Sequence, residues 1–233
     1  MVLGAGCPAP LPRSLRLRTS INTTAMSLPL ANAAVDLFLK GGPIMYPLLI
    51  AALVAIAVVG ERLVWWLRIS ARRDATAVAA ALAAAERGDM VAAEEAVAKS
   101  QDPVARVLRA GLAHRTGSFE GAVQVAAAAE LREAARFIGV LDTLVTLAPL
   151  LGLLGTVTGI MGSFNSIGSD ELAVAKVTGG IGEALIATAA GLGIAIATLL
   201  PLNVLSARLT GLQADLEAAA TALQVAIQKG RAS

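Results

Sequence analysis

Three long windows of this sequence contain almost no charged residue, and they constrain the fold more than any other feature. The windows cover residues 44–67, 137–164 and 181–205. A helix needs about 20 mainly apolar residues to cross the hydrocarbon core of a bilayer. Only 15% of the chain is charged, whereas a soluble domain has roughly 25%. The pattern predicts an all-α membrane protein with three transmembrane helices.

The first predicted span, residues 44–67, has the ends typical of a membrane helix. Its terminal aromatic residues and cations are Tyr46, Arg62, Trp65, Trp66 and Arg68. Such side chains concentrate where a membrane helix meets water. We therefore expect the arginines to extend to the membrane surface, and Glu61 and Arg62 to form an ordinary interfacial pair.

The segments between and after the spans have the composition of water-exposed helices. Residues 68–136 are rich in Ala, Arg and Glu, and turn-forming residues divide them into about four helices. A heptad pattern continues into the tail, residues 206–233, through Leu205, Leu209, Leu212, Leu216, Ala219, Leu223 and Ala226. This pattern predicts one long helix that leaves the membrane. Its apolar face forms either a coiled coil or a contact with the chain's own helices.

The distribution of Lys and Arg predicts the orientation. Residues 62–136 carry eleven of the nineteen, and the connection at 165–180 carries one. By the positive-inside rule, the helical segment and the tail are cytoplasmic. The N-terminal segment, residues 1–43, and the connection then lie outside, in the periplasm if the membrane is the inner one of a double-membrane bacterium. Residues 1–25 lack the apolar run of a signal peptide, and we expect either disorder or a native start at Met26.

The composition disfavours several functional classes. Cys7 is the only cysteine and His114 the only histidine, so an internal disulfide is impossible and a zinc site or catalytic dyad is disfavoured. The chain has no basic patch interleaved with aromatic residues, which argues against nucleic-acid binding. We predict no catalytic residue, no metal, no cofactor and no nucleic-acid partner.

Small residues distinguish the second and third spans from the first. Their glycines at predicted packing positions are Gly152, Gly155, Gly159 and Gly191. Between helices in lipid there is no hydrophobic driving force, so close backbone packing must supply the attraction. Both spans are therefore expected to pack tightly against other helices.

Two hydroxyl residues lie at similar depth in these spans. Thr156 precedes Phe164 by eight residues, and Thr188 follows Ile181 by seven. At 1.5 Å per residue, both lie roughly 11 Å below the periplasmic end. If several subunits surround a common axis, the two hydroxyls of each subunit together form a ring of polar groups around that axis. Alternatively, each hydroxyl bonds to a carbonyl of its own helix, as is common in membranes.

Three further polar residues are candidates for an ion pathway. Glu183 is the only acid in the third span. An ionisable group at the bilayer centre costs roughly 2.5–3.5 kcal/mol and usually faces a cavity or partner. Near the membrane surface, a first-turn acid is instead favoured by the helix N-terminus, and both interpretations remain open. Asp142 and Asn203, near the cytoplasmic ends of their spans, are candidates for a cytoplasmic exit.

Two segments of the inner spans resemble a known family. APLLGLLGTVTGIMGSF at residues 148–164 and IGEALIATAAGLGIAIATLLPLN at 181–203 are similar to the signature helices of the MotA/TolQ/ExbB proton channel family. Three spans with a large first cytoplasmic segment resemble the ExbB/TolQ members most. The resemblance implies a ring-forming homo-oligomer, commonly a pentamer, around two copies of a single-span ExbD/TolR-like partner.

The resemblance also implies a function. Thr156 and Thr188 would face an aspartate of the partner, and Glu183 would lie on the proton pathway. The ring would use the proton motive force to energise an envelope process, such as TonB-dependent import through a TonB-like effector. The chain has no acid at mid-membrane, so the ion-binding carboxylate is expected from the partner. The alternative function is a non-conducting membrane scaffold.

Overall fold

The structure, a computed structural model, describes residues 35–164 and 173–232. It divides into a short unit ending at Leu39, in which residues 35–39 are helical, and a unit from Lys40 to Ser233. The expectations for residues 1–25 lie outside the described residues. Within the described ranges, all regular secondary structure is helical.

Of the helices that the structure describes, three are long and apolar enough to cross a membrane. They are α1 (Met45–Ala71), α6 (Ile138–Phe164) and α7 (Ala173–Ala232). The prediction of an all-α membrane protein is confirmed. Helix α7 begins at Ala173, so the last part of the predicted polar connection is helical.

Four helices lie between α1 and α6: α2 (Ala75–Glu86), α3 (Met90–Ala98), α4 (Pro103–Ala113) and α5 (Phe119–Ala134). We call them the helical domain. Each of the helices α2, α3 and α4 is capped at its N-terminus by an aspartate, whose carboxylate accepts a hydrogen bond from a backbone N–H in the first turn of the helix. Asp102 does more than begin α4, because its buried carboxylate also accepts the N–H of Asp74 at 2.7 Å. This bond ties the start of α2 to the start of α4.

The second half of α7 packs against the helical domain. Its buried heptad residues are Leu205, Leu212, Leu216, Ala219, Leu223 and Ala226. They share one apolar core with Val107, Leu108 and Leu112 of α4. Of the two alternatives for this seam, the structure therefore has the contact with the chain's own helices.

Helices α6 and α7 form an antiparallel pair in the membrane part. Gly152 lies against Thr188, and Gly159 lies against Ala184. The residue numbers thus rise along one helix as they fall along the other. We call the end of this pair near Phe164 the loop end, and the opposite end the domain end.

Arg62 contradicts the expectation of a cation at the membrane surface. Its side chain is 0% exposed, and it bonds both carboxylate oxygens of Glu61. It also donates to the carbonyl oxygen of Glu133 at 2.9 Å. The guanidinium lies 5.0 Å from the ring of Trp65 and 5.6 Å from that of Phe137. Arginine can be buried here because three hydrogen bonds and two aromatic faces replace its hydration.

Trp66 also differs from the expectation for the end of the first span, because its side chain is 6% exposed and belongs to the apolar core that the helical domain shares with α7. Phe137, at the turn between α5 and α6, has a φ of 65°, which is unfavourable for a bulky residue. The side chain of Arg136 covers the Phe137 ring at 4.7 Å. This turn connects the helical domain to the membrane helix α6.

Candidate functional site

The contact between α6 and α7 is built on glycine. A Cβ atom at Gly191 would lie 2.5 Å from the carbonyl oxygen of Ala148, and one at Gly152 would lie 3.0 Å from the Cα of Thr188. These neighbours are backbone atoms, which cannot move as a side chain can. The two helices therefore approach to backbone contact, as small residues permit in lipid.

Nearer the loop end, the contact continues through side chains of α7. A Cβ atom at Gly155 would lie 2.7 Å from the Cβ of Ala187, and one at Gly159 would lie 3.0 Å from that of Ala184. Gly155 also meets Ile44, just before α1. The four glycines singled out from the sequence thus all lie at close helix contacts.

Thr188 forms a hydrogen bond between the two helices. Its hydroxyl donates to the carbonyl oxygen of Gly152 at 2.9 Å. The alternative derived from the sequence, a bond to a carbonyl of its own helix, does not describe this residue. The bond exists because Gly152 brings the α6 backbone within reach of a short side chain on α7.

Thr156 behaves differently. Its hydroxyl donates to the carbonyl oxygen of Leu153 on its own helix at 2.6 Å, which is the local alternative for this residue. Because Gly152 lies beside Thr188 and Gly155 beside Ala187, the two threonines lie within about one helical turn, roughly 5 Å, in height. Both side chains are half-buried.

Glu183 lies toward the loop end, beside the segment that leads into α1. A Cβ atom at Gly42 would overlap the carboxylate of Glu183, so the carboxylate occupies the place of a missing side chain. Gly42 has a φ of 71°, a conformation that glycine adopts without strain. Within residues 35–164 and 177–229, no ion pair to Glu183 is seen.

A cavity of about 380 Å³ opens beside Glu183. Its other lining residues come from both inner helices and from the turn before α1: Pro43, Thr158, Gly159, Gly162, Ser163, Gly179 and Gly180. The hydroxyl of Thr158 donates to the carbonyl oxygen of Leu154 at 2.9 Å. The hydroxyl of Ser163 donates to the carbonyl oxygen of Gly159 at 2.8 Å. The cavity thus contains several polar groups in an otherwise apolar part of the chain.

Asp142 and Asn203 lie toward the domain end, and both side chains are exposed. Thr143 and Thr146 are exposed on the same stretch of α6, and each hydroxyl donates to a carbonyl of its own helix. A polar surface therefore occupies this end of α6. The structure does not bring it together with Glu183, which lies toward the loop end.

Sequence reasoning missed two contributors to this arrangement. Gly42 contacts Glu183 from 141 positions away, and Arg62 joins α1 to the turn before α6. The signal for Gly42 is modest: two glycines and a proline precede the first span, which marks a turn without naming its neighbour. No signal distinguishes buried Arg62 from a surface arginine.

Comparison with known proteins gives the same assignment as the two signature segments. The profile of the MotA/TolQ/ExbB proton channel family matches residues 99–218, which include α6 and most of α7. The chain belongs to this family. A Synechocystis biopolymer transport protein, ExbB-like 1, is 36% identical over 179 residues, covering 73% of this chain and 70% of the relative.

Two further relatives support membership. The ExbB-like 3 protein of Synechocystis is 38% identical over 173 residues, covering 71% of this chain and 81% of the relative. The biopolymer transport protein ExbB of Neisseria gonorrhoeae is 44% identical over 86 residues, covering 36% of this chain and 39% of the relative. The resemblance to ExbB-like members is confirmed. The family is a class of transport proteins and channels rather than of enzymes.

Proposed function

We propose that this chain is the ring subunit of an ExbB-like motor driven by the proton motive force in a bacterial inner membrane. Several copies, five in the arrangement most common in the family, surround a single-span partner of the ExbD/TolR kind. Protons pass between the ring and a carboxylate of the partner. The released energy drives an envelope process such as TonB-dependent import, in keeping with the biopolymer transport named for the relatives.

The observation that carries this proposal is the bond between Thr188 and Gly152. It lies within a glycine-lined helix contact that needs no apolar side chains, and Thr156 lies within about one turn of it. Two hydroxyl oxygens at one level of a membrane helix pair suit a polar partner better than lipid. A scaffold held by packing alone has no need of them.

The remaining residues have proposed roles along the same axis. Glu183 lies on the proton pathway at the loop end, which we place in the periplasm with the N-terminus. Asp142 and Asn203 line the exit at the domain end, which we place in the cytoplasm with the helical domain and the C-terminus. Gly152, Gly155, Gly159 and Gly191 hold the two pathway helices together.

Proton uptake by proteoliposomes tests the proposal. The full chain is reconstituted with the single-span product of a neighbouring gene, and uptake is driven by a potassium diffusion potential. Thr188→Val keeps the shape but removes the oxygen, and uptake should fall roughly tenfold, the equivalent of one hydrogen bond. Thr210→Val is the matched control, because Thr210 lies on α7 beyond the membrane and bonds its own helix.

The result also separates the motor from the scaffold. Loss of uptake in Thr188→Val and in Glu183→Ala, with full uptake in Thr210→Val, supports the motor. No uptake by the wild-type complex leaves the non-conducting scaffold. Wild-type uptake in both pathway variants would instead remove Thr188 and Glu183 from the proposed pathway.

A further inference from the structure

Of the glycines that the structure describes, Gly42 lies closest to the Glu183 carboxylate. Two properties of glycine are needed at this position. Its φ of 71° disfavours any residue with a Cβ atom, and that atom would overlap the Glu183 carboxylate. The turn before α1 thus limits where the end of the Glu183 side chain can lie.

The polar groups around the neighbouring cavity share one chemical character. A hydroxyl has a single hydrogen, and the hydrogens of Thr158 and Ser163 are both engaged by backbone carbonyls. These side chains therefore present only lone pairs to the cavity. An ionised Glu183 is likewise an acceptor only. Among the described residues that line the cavity, none is a lysine, arginine or histidine.

We propose that Gly42 is a positioning residue that holds the Glu183 carboxylate at the wall of this cavity, where the carboxylate faces the protons that the proposed motor conducts. The inference rests on the proposed function and adds a positioning residue in the turn before α1. A cation gains oxygen ligands and a carboxylate with no counter-charge in the described ranges. An anion would meet only lone pairs and a like charge, which is unfavourable away from water.

The proposal makes a specific prediction for residue size. In Gly42→Ala, the added methyl group takes the place of the carboxylate. The displaced atoms are the end of a flexible side chain, so the fold should persist while the carboxylate moves. An aspartate at position 183 is one methylene shorter and withdraws from the methyl group. Glu183→Asp should therefore offset part of the damage of Gly42→Ala.

The test compares four proteins in the proteoliposome assay: wild type, Gly42→Ala, Glu183→Asp and the double variant. Each single variant should lose roughly tenfold in uptake, as misplacement of a reacting group by about 1 Å can cost this much or more. The double variant should lose clearly less than the product of the two losses. Gly182→Ala is the control beside Glu183, because no described atom lies within 4 Å of its Cβ position.

Two results would overturn the positioning role. One is wild-type uptake in Gly42→Ala. The other is a double variant whose loss equals the product of the single losses, since backbone strain at Gly42 alone predicts that result.

A second measurement is independent of conduction. Modification of Glu183 by dicyclohexylcarbodiimide is followed by mass spectrometry on the reconstituted full chain. Gly42→Ala should change the modification rate at least threefold, because the added methyl group displaces the carboxylate. If the wild-type complex takes up no protons, the motor proposal fails. The modification rate of Glu183 still tests the positioning role of Gly42 in that case. Equal modification rates in wild type and Gly42→Ala reject the positioning role of Gly42.

Discussion

The two halves of α7 pack against their neighbours in opposite ways. In the membrane half, Gly191 lets α7 touch the backbone of α6. In the other half, Leu216 and Leu223 fill a core with α4. Lipid offers no gain for burying a leucine, so close backbone contact provides the attraction. Water does offer that gain. The size of the interface residues thus reports the solvent around each half of one helix.

The largest expected effect is in the half outside the membrane. Leu216 is 1% exposed, and Leu216→Ala should lower the free energy of unfolding by about 2–5 kcal/mol through lost burial and a cavity. Val225→Ala, on the same helix but 57% exposed, should change it by less than about 0.5 kcal/mol. Urea titration with tryptophan fluorescence measures both. Equal losses would mean that the core on α7 does not stabilise this half.

Adding one methyl group should have opposite effects in the two halves. Gly191→Ala forces a Cβ atom to within 2.5 Å of a backbone oxygen and should cost about 1–3 kcal/mol. Gly211→Ala, outside the membrane with no described atom within 4 Å, should stabilise by up to about 1 kcal/mol. Thermal unfolding in detergent compares them. Gly193→Ala, in the membrane half and equally open, is the control that should cost nothing.

The smallest effect concerns a charge in the helical domain. Burial raises the pKa of Glu130 above its ordinary value, although Arg106 at 2.6 Å opposes the shift. A raised folded-state pKa means that the carboxyl stabilises most at low pH and loses this contribution as pH rises. Glu130→Gln should therefore unfold at a slightly higher temperature than wild type at pH 7. A lower unfolding temperature at pH 7 would mean that the Arg106 pair outweighs burial.

Much of the fold could be predicted from the sequence because it follows from properties of single residues. Charge depletion is enough to indicate three membrane helices, and the signature segments are enough to indicate the family. Residue size also marks Gly152 and Gly191 as close-packing positions. It does not tell which backbone atoms they meet, because that depends on the register of α6 against α7.

The parts that could not be predicted depend on contacts between distant segments. Arg62 looks like a membrane-surface cation until the turn at Phe137 covers it. Thr188 has two kinds of carbonyl available, and only the approach of Gly152 favours the one on the other helix. The contact of Gly42 with Glu183 leaves no periodic pattern at all. Each case requires the position of a second helix.

The unbroken course of α7 has a mechanical consequence. Its 60 residues form a rod about 90 Å long, with no loop between Thr188 and the leucines beyond the membrane. Pro201 lies inside this stretch and removes one backbone hydrogen bond. A displacement of one half is therefore passed to the other through a helix that bends most easily near that residue. The helical domain packs against the second half of this helix. A molecule that immobilises the helical domain should therefore also restrict movement of the membrane half of α7.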